Sequence, residues 1–141
     1  MVRDHLDVRI VPPDTEQEKQ AVASCRLLHC AVPIGTTILH IFCVYGYTNA
    51  CRDRNQRVLN EQLLFTALGM MSKVGNAPAA LIGDLNTTID ASATIMNNIN
   101  SGCLVDLCSL HHAATGEEPA ATCFVTPESI GSRIDHILGN A

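Results

Sequence analysis

Asp84 and Asn86 stand two residues apart at the end of an apolar run, in the segment ALIGDLNTTID (80–90). Side chains on an extended chain alternate with a period of two, so this spacing puts both on one side and Leu85 on the other. A carboxylate can orient or deprotonate a water, and a neighbouring carboxamide can bind a phosphoryl oxygen. Together they suit phosphoester hydrolysis. The same tetrapeptide, Gly83-Asp84-Leu85-Asn86, also suits an Asx turn at a strand end.

Two further stretches carry comparable chemistry. In Ser132-Arg133-Ile134-Asp135-His136 the alternation groups Arg133, Asp135 and Ile137 on one face, with Ile134, His136 and Leu138 on the other. A carboxylate inside an apolar strand is costly without a partner. Asp135 is therefore expected either to orient a catalytic His supplied elsewhere or to pair locally with Arg133. His136 points away from Asp135 by parity and is not expected to be catalytic. In Val44-Tyr45-Gly46-Tyr47-Thr48-Asn49 the Tyr45 hydroxyl could reach a phosphate or a metal-bound water. The alternative for Tyr45 is an aromatic closing the rim of the core.

The elements that must position these residues are legible in the pattern. Residues 1–20 read as loop apart from a short strand at 8–11. SCRLLHCAV (24–32) and TTILHIFCVY (36–45) read as strands joined by a turn at Pro33-Ile34-Gly35. The second is apolar on both faces, which predicts cover on both sides. From 55 to 73 the spacing of Leu64, Leu68 and Met71 is helical, and Gly75-Asn76 with Pro78 ends it. A strand at 79–83, a helix at 91–101 and a helical or partly extended segment at 104–110 follow. Then come a loop (111–120), a strand (121–126), a turn (127–132) and a last strand (133–138). This order favours a layered α/β or α+β architecture.

The 141 residues are 47% hydrophobic and 16% charged, with a formal net charge of −5. The basic footprint of a simple nucleic-acid-binding module is missing. A hydrolase whose carboxylates hold a metal ion remains compatible with that charge. Seven cysteines, none in a CxxC pair, read as reduced, mostly buried thiols in a reducing compartment. A zinc site from Cys25, His29 and Cys30 lacks the usual paired spacing. His111, His112, Glu117 and Glu118 read as a solvated group. No run reaches the roughly 18 apolar residues of a membrane span, and no signal-peptide core is visible. The expected location is intracellular, cytoplasmic or nuclear.

VYGYTNA, a helix, ALIGDLN, LVDL and SRIDHIL, in that order, resemble the endonuclease/exonuclease/phosphatase family. The wording of SRIDHIL is most similar to retrotransposon-type endonuclease domains. The resemblance runs from about residue 26 to 138, with 1–23 divergent, and implies one partial domain over 1–141. It implies an α/β (α+β) fold, a four-layer sandwich of two mixed β-sheets flanked by helices, incomplete here. It further implies hydrolysis of phosphodiesters with Mg²⁺ or Mn²⁺, on DNA or another phosphodiester. By position, Asp84 would activate water and Asn86 would hold the scissile phosphate, both supporting the metal. Tyr45 would lie near the phosphate, and Asp135 would orient the catalytic His.

The family's early Asn and its metal-ligand Glu have no match in residues 1–25, and its terminal Ser-Asp-His run has none either. The expectation is therefore a fragment of a metal-dependent phosphodiester hydrolase, most simply a DNA endonuclease, weakly active or inactive alone and either poorly stable or prone to associate. A non-catalytic remnant or interaction domain, and a small-molecule phosphatase, are the alternatives.

Overall fold

The computed structural model describes residues 7–124, 126 and 130–141. A two-residue strand β1 (Arg9–Ile10) is followed by helix α1 (Glu16–Ala23), in a stretch where the pattern suggested loop. The helix has a local cause. Thr15 and Glu18 form a reciprocal capping box, each side chain accepting from the other's end of the first turn. The T-x-x-E spacing was readable in the sequence.

Strands β2 (Leu27–Ile34) and β3 (Thr37–Val44) form an antiparallel hairpin in which Leu27 pairs with Val44 and Ile34 with Thr37. The turn sits at Gly35-Thr36, with Gly35 at φ +60, one residue later than the expected turn centre. Helix α2 (Arg54–Lys73) starts at the Asp53 cap and crosses to β4 (Ala79–Asp84), which lies parallel to β3. A 3-10 turn (Ile89–Ala91) and α3 (Ala93–Asn100) lead to β5 (Leu104–Asp106). There the chain turns straight into α4 (Leu107–Thr115), so 104–110 is strand then helix. That helix includes His111 and His112, expected as loop, and ends at Gly116 in the left-handed conformation. The last strand, β6 (Asp135–Asn140), begins two residues later than expected. Of the strand expected at 121–126, Cys123 forms one isolated bridge to Ser132; residue 125, and 127–129 of the expected turn, lie outside the described residues.

The strands make one mixed sheet in the order β1-β2-β3-β4-β6-β5. Helices α1, α2 and α3 cover one face. Leu27, Phe42, Val44, Leu81, Leu104 and Leu138 point into that layer and meet Leu63, Leu64, Ala67, Leu68 and Met71 of α2 and Ile95 of α3. Burial of these side chains, at about 1.5–3 kcal/mol each for the larger ones, is the main source of stability. Among the described residues the other face carries α4, where Leu107 packs beside Gly139, and the segment with Pro119, Ala120 and Thr122.

The α/β class is therefore as expected, but the described residues form two of the four layers, one sheet and one helical layer. The cover expected on both sides of β3 is also corrected. Phe42 and Val44 are buried, whereas Leu39, Ile41 and Cys43 on the opposite face are only half-buried and Tyr45 is exposed. No second sheet among the described residues packs on them.

Candidate active site

Asp84 and Asp135 lie directly opposite each other in the antiparallel β4–β6 pair, beside the opposed Ile82 and Ile137. Opposed residues share a face, with their Cβ atoms about 5 Å apart. Both carboxylates thus emerge at the same end of the open face. Tyr45, one residue beyond β3, joins them. Cys43 is level with Ile82 in the parallel β3–β4 pair, so alternation carries Tyr45 to the level of Asp84 on the same face. Its side chain is 48% exposed.

Asn86 arrives differently. Strand β4 ends at Asp84, Leu85 is fully buried, and Asn86 has a left-handed φ of 50. The Asn86 N–H donates to Asp84 Oδ1 at 2.9 Å, closing an Asx turn. The strand alternation expected to place Asp84 and Asn86 together therefore stops one residue short, and the turn does the placing. Asn86 Nδ2 then donates to the Gly46 carbonyl at 3.1 Å, which occupies one of its two amide hydrogens.

This contact belongs to a set of bonds that locks the two strand-exit loops together. The Gly46 N–H donates to the Asp84 carbonyl at 2.7 Å. From α2, the buried Asn60 accepts the Tyr47 N–H at Oδ1 and donates from Nδ2 to the Leu85 carbonyl, both at 2.9 Å. A Cβ on Gly46 would run into the Leu85 carbonyl, and one on Gly83, at φ +141, into the Val44 carbonyl. Both glycines are thus required by close approach of one backbone to the other. Asn60 escaped sequence reasoning because a lone Asn inside a helical stripe carries no local signal.

Arg133 does not pair with Asp135, the local alternative read from the sequence. It turns to the buried Asp106, donating from Nη1 at 3.2 Å and also from Nη2, while Ser109 Oγ donates to Asp106 at 2.6 Å. Burial pushes the Asp106 carboxyl up, but Arg133, Ser109 and the Cys108 N–H outweigh it and hold it below the usual carboxylate range. The pair anchors the chain just ahead of Asp135. Thr122 Oγ1 completes the hold, accepting the N–H groups of Ile134 at 3.0 Å and Asp135 at 3.1 Å.

His136 faces away from Asp135. It is buried on the helical side, its Nε2–H donates to the Thr87 carbonyl at 3.1 Å, and Nδ1 has no partner. Burial depresses its pKa. The zinc grouping also dissolves. His29 and Cys30 occupy consecutive positions on β2 and so point to opposite faces. His111 and His112 lie at the surface beside the Glu117 and Glu118 carboxylates, at 3.2 and 3.7 Å. The cysteines are less buried than expected, with Cys25, Cys51 and Cys103 exposed and the other four half-buried.

A cation that the sequence did not flag stands at the site. Arg26 places its guanidinium 5.3 Å from the Tyr45 ring centroid and 4.0 Å from that of Tyr47, and donates to the Tyr45 and Gly46 carbonyls at 3.2 and 2.8 Å. Arg26, Tyr45, Ile82, Arg133, Asp135 and Ile137 line a cleft of about 860 Å³ on the open face. Asp84 and Asn86 are not among its walls.

Among the described residues no three His, Cys, Asp or Glu side chains converge as a metal-holding group. The oxygen donors at hand are the Asp84 and Asp135 carboxylates and the Asn86 amide oxygen. Mg²⁺ commonly takes one or two carboxylates and fills its shell with water and substrate phosphate. The donor set fits such a water-rich site, not an all-protein cage.

No protein-family model matches this chain, nor does any curated protein sequence. Its fold does match solved structures. Truncated TDP2 from Caenorhabditis elegans matches with a TM-score of 0.63 at 12% identity, over 97% of this chain and 54% of that one. The 3′ phosphatase NExo from Neisseria, bound to a product DNA hairpin, gives 0.57 at 19% identity, over 94% and 57%. An AP endonuclease from Archaeoglobus fulgidus gives 0.56 at 17% identity, also over 94% and 57%. The chain spans a little over half the length of these structures. It has the endonuclease/exonuclease/phosphatase fold, over the part that this chain covers.

Proposed function

We propose that this chain carries part of a divalent-metal-dependent phosphoester hydrolase site, with a phosphodiester such as DNA as substrate. The observation that supports it most is the opposition of Asp84 and Asp135 at the sheet end, with Tyr45 level with them on the next strand. In this reading Asp84, held by the Asn86 N–H, orients or deprotonates the attacking water. The free Asn86 amide hydrogen and the Tyr45 hydroxyl bind phosphoryl oxygens. Asp84 and Asn86 would hold the cation, and Asp135, expected from the resemblance to orient a catalytic His, stands opposite Asp84, where its carboxylate could also reach that cation. Mg²⁺ or Mn²⁺, when bound there, would polarise the phosphoryl group and offset its charge. Arg26 adds a fixed positive charge beside Tyr45.

A small phosphorylated substrate is the second reading. The net charge of −5 favours it over duplex DNA, whose backbone a basic surface normally grips. Incubation with Mg²⁺ or EDTA, on abasic duplex DNA, 3′-phosphorylated DNA and a sugar phosphate in parallel, separates the two. The expected result is slow, metal-dependent hydrolysis of one substrate class that Asp84→Ala removes. Hydrolysis that survives Asp84→Ala, or that ignores EDTA, overturns the assignment.

A further inference from the structure

Four residues stand in a row across the sheet end. The Tyr45 N–H donates to the Arg26 carbonyl at 2.9 Å, which carries the β2–β3 pairing one step beyond Leu27 and Val44. Leu27 and Val44 point into the helical layer, so alternation puts Arg26 and Tyr45 on the open face. Tyr45 is level with Asp84, and Asp84 is opposite Asp135. The row therefore runs Arg26, Tyr45, Asp84, Asp135, with a cation at one end and two carboxylates at the other.

The two arginines that line the cleft differ in what they do. Arg133 is committed to Asp106. Arg26 has no carboxylate partner among the described residues. Its Nη1 donates to the Tyr45 and Gly46 carbonyls, and its guanidinium lies over the Tyr47 ring. These contacts fix the plane of a half-buried guanidinium but use only one of its three nitrogens. Nε and Nη2 have no hydrogen-bond partner among the described residues. A held guanidinium with a free two-nitrogen edge is the donor pair that fits two oxygens of one phosphate.

We propose that the free edge of Arg26 binds a second phosphate of the substrate, next to the one that is hydrolysed. The inference rests on the phosphoester reading of the neighbouring carboxylates. Arg26 and Asp84 are two strand spacings apart, roughly 10 Å from backbone to backbone. The bonds to the Tyr45 and Gly46 carbonyls draw the guanidinium towards β3, on the Asp84 side. Tyr45 stands between the two, so a phosphoryl group at Asp84 and an anion at Arg26 are separate groups on one molecule. The site then prefers a nucleotide with two phosphates to one with a single phosphate, and to a sugar monophosphate.

Calorimetric titration of the whole chain with thymidine 3′,5′-bisphosphate and with each thymidine monophosphate, in Mg²⁺, tests this. The bisphosphate should bind at least about tenfold tighter, as one charge-assisted fork can supply. Arg26→Gln should bring the ratio to within about twofold. Arg26→Lys keeps the charge without the fork and should fall between. Nitrogen-15 NMR of the arginine Nε–H groups reads the unaltered chain, with Arg26→Lys identifying the signal. The bisphosphate should shift the Arg26 signal and slow its exchange with water. A bisphosphate preference that survives Arg26→Gln, or an Arg26 signal that the bisphosphate leaves unmoved, overturns the proposal. Equal, Mg²⁺-dependent binding of bisphosphate and monophosphates overturns the second subsite alone, whereas binding of none of them overturns the phosphoester reading with it.

Discussion

Asp84 and Asp135 face each other across two antiparallel strands, a direct pairing of like charges at the end of an otherwise apolar sheet face. Such a pair costs up to about 1 kcal/mol in a sheet. In the proposed site a divalent cation would offset it.

Asp135→Asn should therefore raise stability, by less than about 1 kcal/mol, while weakening the response to Mg²⁺. Thermal melts with and without millimolar Mg²⁺ check this. The unaltered chain should melt higher with the ion, and the variant should gain little. Equal gains in both would remove Asp135 from the metal site.

Asn60→Ala leaves the Leu85 carbonyl and the Tyr47 N–H without their partner in a dry setting. A loss of about 2–4 kcal/mol is expected. Hydrogen exchange locates it, with faster exchange at Tyr47 than at the amides of α2 remote from position 60.

Glycine substitutions should divide sharply. Gly46→Ala pushes a methyl into the Leu85 backbone and should cost at least about 2 kcal/mol, together with any hydrolytic activity. Gly69→Ala lies in α2 with open space around its Cβ and should stabilise by about 0.5–1 kcal/mol. Denaturant midpoints compare the two.

Acid sensitivity should come in two stages. His29 and His136 have depressed pKa values, each chiefly through burial. The unfolded chain takes up their protons first, so stability is full above about pH 6.5 and declines below it. Glu18 follows. Burial raises its pKa, but Lys73 at 2.6 Å and the N–H groups of Asp14 and Thr15 bring it down to about 2. Its contribution is present above its unfolded value of 4.5 and is lost as pH falls towards about 2. Asp106, also held low, adds to this second stage. Stability measured between pH 3 and 8 should show both stages, and Glu18→Gln should flatten the lower one.

Asp106→Ala leaves the half-buried Arg133 guanidinium without its carboxylate. A loss of about 1–3 kcal/mol is expected. Replacing both residues, Asp106→Leu with Arg133→Met, should recover much of it, because no charge is left buried. Chemical denaturation of the single and double variants measures the difference.

Much of this arrangement was written in the sequence, and for local reasons. Alternation and helical spacing mark the hairpin, α2, β4 and β6 because burial on one face leaves a period in the residues. Parity alone also turns His136 away from Asp135. Capping chemistry was equally local, in the Thr15-to-Glu18 box that makes α1 a helix, although its signal is slight beside the surrounding charge.

Other features arise only when distant segments meet. Asp84 and Asp135 are 51 positions apart in the chain, and their opposition is a matter of register between β4 and β6. The Arg133–Asp106 pair, the Asn60 clamp and the Arg26 cation beside Tyr45 each join elements that carry no mutual signal in the sequence. Asn86 shows the division within a single motif. Its residue type favoured a turn from the outset, but only the contact with Gly46, across the sheet end, sets where its amide points. Sequence settles which side chains can act, because that is a matter of local chemistry and period. Tertiary structure settles which of them meet, because strand register and loop closure depend on the packing of the whole sheet.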